Sequence, residues 1–123
     1  MLTAVGLVTL AACSPAVSSG VQPGSYVGAG SQPVSFTVSS DGATVSAFTT
    51  RVWSVCRGGY GTLIPISLPD VSASTGGEVE LVNPQPDYTT TLSMTFNGQT
   101  ATGKATFVVG LCGGTTPFTA TRS

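Results

Sequence analysis

Histidine is absent from this chain, and charge is scarce, with 4 Lys+Arg and 5 Asp+Glu among 123 residues. Without an imidazole there is no ordinary base to activate a serine or cysteine nucleophile, and no histidine ligand for zinc. A formal net charge of -1, with no arginine cluster or basic stripe, lacks the electrostatic footprint of a nucleic-acid binder. Charged residues are 7% of the chain, where a typical soluble domain carries about 25%, so the surface must be built mainly from Ser, Thr, Asn, Gln and backbone. Helical periodicity is missing once the first apolar run is set aside, and no internal repeat is present. Nothing approaches the roughly 20 consecutive apolar residues that a membrane-spanning helix needs.

What is present begins with MLTAVGLVTLAA, an uncharged apolar run with the length of a signal-peptide core. Leu10, Ala11, Ala12 and Cys13 end it in the order leucine, small, small, cysteine. These four residues resemble the lipobox of bacterial lipoproteins. The resemblance implies that residues 1–12 are a lipoprotein signal peptide cut before Cys13. It further implies that the Cys13 thiol carries a diacylglyceryl group, with chains such as palmitate, holding the protein to the extracytoplasmic face of the cell membrane. Each buried CH₂ contributes about 0.8 kcal/mol, and stable anchoring needs more than one chain. Two other readings of Cys13 stay open, an ordinary secretory cleavage that leaves a thiol and a cysteine packed in a core helix. The Ser/Pro/Gly-rich stretch SPAVSSGVQPGS that follows reads as linker and argues against the helix. Residues 13–22 are therefore expected to be a lipid-anchored flexible linker and residues 23–123 a single folded domain.

With Cys13 assigned to lipid, Cys56 and Cys112 remain, an even pair in an exported chain, and a Cys56–Cys112 disulfide is expected. Two cysteines without histidine offer too few soft ligands for a zinc site, so no metal or other cofactor is expected.

The rest of the chain reads as strands. PVSFTVS alternates Val34, Phe36 and Val38 with Ser and Thr, the period of a half-buried strand. A three-residue loop Ser40-Asp41-Gly42 would set Val34 opposite Phe48 and Phe36 opposite Ser46, whereas a two-residue Asp41-Gly42 turn would pair Phe36 with Ala47. The first register is preferred because it puts Phe36, Val38, Phe48, Val52 and Cys56 on one face. From Tyr88 to Phe96 every second residue is Tyr, Thr, Leu, Met or Phe, and Asn97-Gly98 is a strong hairpin signal. It predicts Met94 opposite Ala101, Leu92 opposite Gly103, Thr90 opposite Ala105 and Tyr88 opposite Phe107. Thr89, Thr91, Ser93, Thr95, Thr102, Lys104 and Thr106 then form a hydroxylated outer face. Pro65 demotes TLIPISL to an edge strand. GEVELV turns Val79 and Leu81 inward, and PFTATRS adds a last strand with Phe118 and Ala120 on one side. About eight short strands, frequent turn signals and one disulfide predict an all-β fold, an antiparallel β-sandwich or flattened barrel. The order GSYVGAG, VSFTVSSDG, a long strand to Cys56, FNGQTATGKATF and a final cysteine before an aromatic strand looks like small exported actinobacterial all-β proteins of unassigned role. The matching positions are turn glycines, core aromatics and cysteines, so the resemblance implies a fold and no chemistry.

Glu78 and Glu80 project from one face of a strand in the manner of a glycosidase pair, but they read as charged guards on an exposed strand. Lys104, the sole lysine, lies on the threonine-rich face, so catalysis is not expected. Trp53 stands three positions from Cys56, hence on the opposite face, beside Arg51. Arg51, Trp53, Arg57 and Tyr60 are the candidate ligand-binding residues, since aromatic rings with a polar handle stack well on partners. A bulge near Ala47 and Phe48, or near Cys56, would instead turn Trp53 into the core. The sequence thus points to a lipid-anchored, exported, non-catalytic binding module for an envelope glycan or other saccharide. The alternative is a protein-interaction or inhibitory domain that presents the RGGYG or STGG loop. Its expected partners are the membrane, through the lipid on Cys13, and a glycan or envelope protein, with no nucleic acid.

Overall fold

The computed structural model describes residues 21–30, 32–74 and 76–123. Leu10 to Cys13, and with them the signal peptide and most of the expected linker, lie outside the described residues. Among the described residues, nine strands form one antiparallel sheet: β1 (Gly24–Gly28), β2 (Ser35–Val38), β3 (Thr44–Cys56), β4 (Gly61–Leu68), β5 (Val71–Ser72), β6 (Glu78–Pro84), β7 (Thr89–Asn97), β8 (Thr100–Val109) and β9 (Cys112–Arg122). The spatial order is β4-β3-β2-β1-β9-β8-β7-β6, with a further pairing of β3 to β9 that closes β1, β2, β3 and β9 into a small barrel. The expected all-β fold is present, and its barrel form is the one adopted. β5 is a two-residue strand on β3 that the sequence pattern does not reveal.

The barrel closes around aromatic rings. Tyr26 and Phe36 are cross-strand partners and stack at 5.0 Å, Phe36 stacks on Phe48 at 5.7 Å, and Phe96 meets Tyr26 edge-on at 5.4 Å. Phe118 joins Phe48 at 5.7 Å. Such pairs contribute about 0.5–1.5 kcal/mol beyond area burial. The Tyr26 hydroxyl escapes the penalty of burial by donating to the Gln22 carbonyl at 2.8 Å. Burial nevertheless raises its pKa, only partly offset by the Arg122 guanidinium and the Gln22 hydrogen bond. Val21 is buried in the same core. The packed domain therefore begins by Val21, two residues before the expected boundary at Pro23.

Both hairpin registers differ from expectation. Between β2 and β3 the Ser39 amide donates to the Thr44 carbonyl and Val38 pairs with Val45, so the loop has four residues, Ser40 to Ala43. The Asp41 carboxylate organises it by accepting from the Ser39 hydroxyl and from the Ala43 amide at 3.0 Å, and these bonds hold its pKa below the ordinary value. Thr37 pairs with Ser46 but Ser35 with Thr49, a bulge centred on Ala47, whose φ is 55°. The bulge lets Val45 and Phe48, three residues apart, both face inward. Phe36, Val38, Phe48 and Val52 are buried together as expected, although the register that led there is one residue off near the turn.

Between β7 and β8 the turn is Gly98-Gln99, not Asn97-Gly98. Asn97 pairs with Thr100, Phe96 with Ala101, Met94 with Gly103, Leu92 with Ala105 and Thr90 with Phe107, two residues from the expected register. A slip of two leaves every side chain on its expected face. Gly98 has φ 64° and stands first in the turn, the arrangement of a type II′ hairpin, which needs only one positive φ. Gly103 accounts for the choice. A Cβ there would overlap the Ser93 carbonyl oxygen and stand 2.7 Å from Met94 Cα, so a residue without a side chain must lie opposite Met94. Val79, Phe118 and Ala120 are buried as expected, with Leu81 packed against the core.

The Cys56–Cys112 disulfide is formed between directly paired residues of β3 and β9, at a Cα–Cα distance of 3.9 Å. It staples the barrel where β9 leaves β3. Farther along, residues Tyr26 to Gly28 of β1 replace β3 as the neighbour of β9, and Pro117 occupies the gap where no amide is needed. β4 and β6 are the free edges, each carrying a proline, Pro65 and Pro84.

Candidate functional site

Beyond the bulge β3 alternates strictly, with Phe48, Thr50, Val52 and Ser54 buried and Thr49, Arg51, Trp53 and Val55 exposed. The bulge at Ala47 does occur, but it places Val45 and Phe48 together inside and leaves Trp53 outside. Trp53 is 55% exposed, and its indole rests on Gly61, where a Cβ would stand 3.0 Å from two ring atoms. β4 supplies the matching outer row. Ser67 is opposite Thr49, Pro65 opposite Arg51 and Leu63 opposite Trp53.

Arg51 and Trp53 are brought together, two positions apart on one face, about 6.8 Å along the strand. Arg57 and Tyr60 are not part of that row. They occupy the turn beyond Cys56, where Gly58 and Gly59 take φ of 111° and 97°. The Cys56 amide donates to the Tyr60 carbonyl at 2.9 Å and the Arg57 amide to the Leu111 carbonyl at 3.1 Å. The two turns are thus locked side by side, with Tyr60 74% and Leu111 69% exposed. Val108, Gly113, Val55 and Gly61 lie in one transverse row across β8, β9, β3 and β4, so an apolar strip leads from Val108 through Val55 to Trp53 and Leu63.

A groove of about 610 Å³ adjoins the other end of the row. Arg51 and Thr49 line it together with Gln32, Ser35, Pro65 and Ser67, and Trp53 does not. The Ser35 and Thr49 hydroxyls are 3.0 Å apart, and the Gln32 Oε1 accepts from the Thr119 amide at 2.8 Å, so the wall is held in place by hydrogen bonds. Its polar groups are hydroxyls, one amide and one guanidinium above an apolar floor of Val34 and Ile66.

Gln32, Ser35, Thr49, Leu63 and Ser67 were not among the residues singled out from the sequence. For the β4 residues the signal was the outward parity of Leu63, Pro65 and Ser67, legible only once the β3–β4 register is known. Gln32 has no local pattern to announce it. Glu78 and Glu80 do lie on one exposed face of β6, where Glu80 accepts from the Ser93 hydroxyl of β7 at 2.8 Å. Lys104 is exposed on β8 among threonines. Among the described residues no three Cys, Asp or Glu side chains are grouped to hold a metal ion. No protein-family model, curated protein or solved structure matches the chain.

Proposed function

We propose that this chain is a non-catalytic binding domain of the bacterial cell surface, tethered to the membrane through a lipid on Cys13, that recognises an envelope saccharide along the outer face of the β3–β4 hairpin. The observation that carries the reading is the exposed indole of Trp53 next to Arg51, which borders a groove rich in hydroxyls. A pyranose ring presents an apolar face that stacks on an indole and a rim of hydroxyls that pair with guanidinium, amide and hydroxyl groups. One sugar on Trp53 would place the next within reach of Arg51, Thr49 and Ser67. Export is supported by the disulfide, a bond that persists in oxidising compartments, and by the Leu10-Ala11-Ala12-Cys13 order.

A protein partner is the second reading, favoured by the exposed apolar strip of Val108, Val55, Trp53 and Leu63, which runs from beside the groove towards β8. A glycan array probed with residues 21–123 separates the two. Saturable binding to one glycan class, weakened at least tenfold by Trp53→Ala and by Arg51→Ala, is expected. Absence of glycan binding would leave the apolar strip and its protein partner as the better account.

A further inference from the structure

A second cavity, of about 290 Å³, opens between β4 and the β7–β8 pair, on the inner side of the sheet. Ile64 and Ile66 form one wall, Thr90 and Phe107 the other, and Tyr88 stands at the rim with its ring 5.4 Å from that of Phe107. Thr90 is 2% exposed, and its Oγ1 has no hydrogen-bond partner. Its cross-strand neighbours are Phe107 of β8, which offers no polar side-chain atom, and Asn83 of β6, whose amide oxygen accepts from Gln85 and makes no bond to the Thr90 hydroxyl. A hydroxyl desolvated without a partner is destabilising, and a bound molecule that supplies the partner is one way such a group is satisfied. Among the described residues, none with a charged side chain lines the cavity.

We propose that this cavity binds a small neutral amphipathic molecule, with an aromatic or short alkyl body against Ile64, Ile66 and Phe107 and one hydroxyl or carbonyl hydrogen-bonded to Thr90 Oγ1. The volume lies at the small end of ligand sites, which suits a single ring and not a polymer. The uncharged walls select against ions, which would be buried without a counter-charge. The cavity shares Pro65, Ile66 and Ser67 of β4 with the outer groove, and Ile64, Tyr88, Thr90 and Phe107 are the lining residues that belong to it alone.

The test is a titration of the full chain, followed by NMR, with four probes of one shape: benzyl alcohol, toluene, benzoate and benzylammonium. Benzyl alcohol is expected to bind saturably in the millimolar range and to shift the resonances of Ile64, Thr90 and Phe107, with benzoate and benzylammonium at least tenfold weaker. Thr90→Val keeps the shape and removes the hydroxyl. It should raise the melting temperature and weaken benzyl alcohol about tenfold while leaving toluene unchanged or tighter. Ile64→Trp, which fills the mouth, should abolish binding of both. The proposal is overturned if no probe saturates, if Thr90→Val affects benzyl alcohol and toluene alike, or if the shifts centre on Trp53 and Leu63.

Discussion

Two outer faces of this sheet are built on the same alternation and carry opposite chemistry. On β6, β7, β8 and β9 the outward residues fall into transverse rows. Val82, Thr91, Thr106 and Thr115 form one row, and Glu78, Thr95, Thr102 and Thr119 another. Some hydroxyls there meet one another or a guard charge, as in Thr106 to Thr115 at 3.1 Å and Ser93 to Glu80 at 2.8 Å. That is how a strand face is solvated when charge is scarce. On β3 and β4 the outward residues include Arg51, Trp53, Val55 and Leu63, a guanidinium and large apolar groups that water does not reward. A fold able to surface one half of its sheet with threonine has no structural need for an exposed tryptophan on the other. That contrast is the reason the proposed binding is assigned to the β3–β4 face.

The largest expected effect comes from the bond that joins the two halves. Cys56→Ser with Cys112→Ser should lower stability by about 4 kcal/mol, read from denaturant midpoints, in keeping with a sequence separation of 56. Next are two glycines, one beneath each face. At Gly103 a Cβ would overlap the Ser93 carbonyl, and at Gly114 the Trp53 carbonyl, so either alanine substitution should cost roughly 1–3 kcal/mol. Only Gly114→Ala should shift the emission of Trp53, the single tryptophan.

Alkaline pH probes the barrel without touching either face. Tyr26 has its pKa raised by burial, so the folded state holds the phenolic proton more tightly than the unfolded chain does. That contribution is fully present below about pH 10 and is lost as pH rises through the folded value. Denaturation midpoints should therefore fall above about pH 10 in the wild type and fall less in Tyr26→Phe. The smallest effect is at the bulge. Ala47 pays for a left-handed backbone that glycine adopts freely, so Ala47→Gly should stabilise by up to about 1 kcal/mol with Trp53 still outside.

Faces were legible in the sequence where registers were not, because on β7 and β8 alternation survives a slip of two residues and on β3 the bulge at Ala47 offsets a slip of one. Asn97-Gly98 drew the β7–β8 turn one position early, and the cost of a side chain at Gly103, a contact across strands, overrode the local signal. The outward placement of Trp53 followed from counting to Cys56. The bulge at Ala47, which reconciles that placement with a buried Val45, left no local mark, since alanine seldom takes positive φ. The groove was invisible because Ser35, Thr49 and Ser67 meet through two separate strand pairings and Gln32 is brought to them from a loop by its hydrogen bond to the Thr119 amide. Thr90 read as one more alternating residue; like Thr50 it is buried without a partner, and its place in the wall of the second cavity is what distinguishes it.

The most direct measurement follows Trp53 fluorescence while an array-selected oligosaccharide is titrated into the domain, in the wild type, in Arg51→Ala and in Thr91→Ala with Thr102→Ala. The account predicts a saturable emission change in the wild type, the same curve in the threonine-face variant, and at least tenfold weaker binding in Arg51→Ala. Binding that leaves Trp53 emission unchanged and is lost in the threonine-face variant would contradict it.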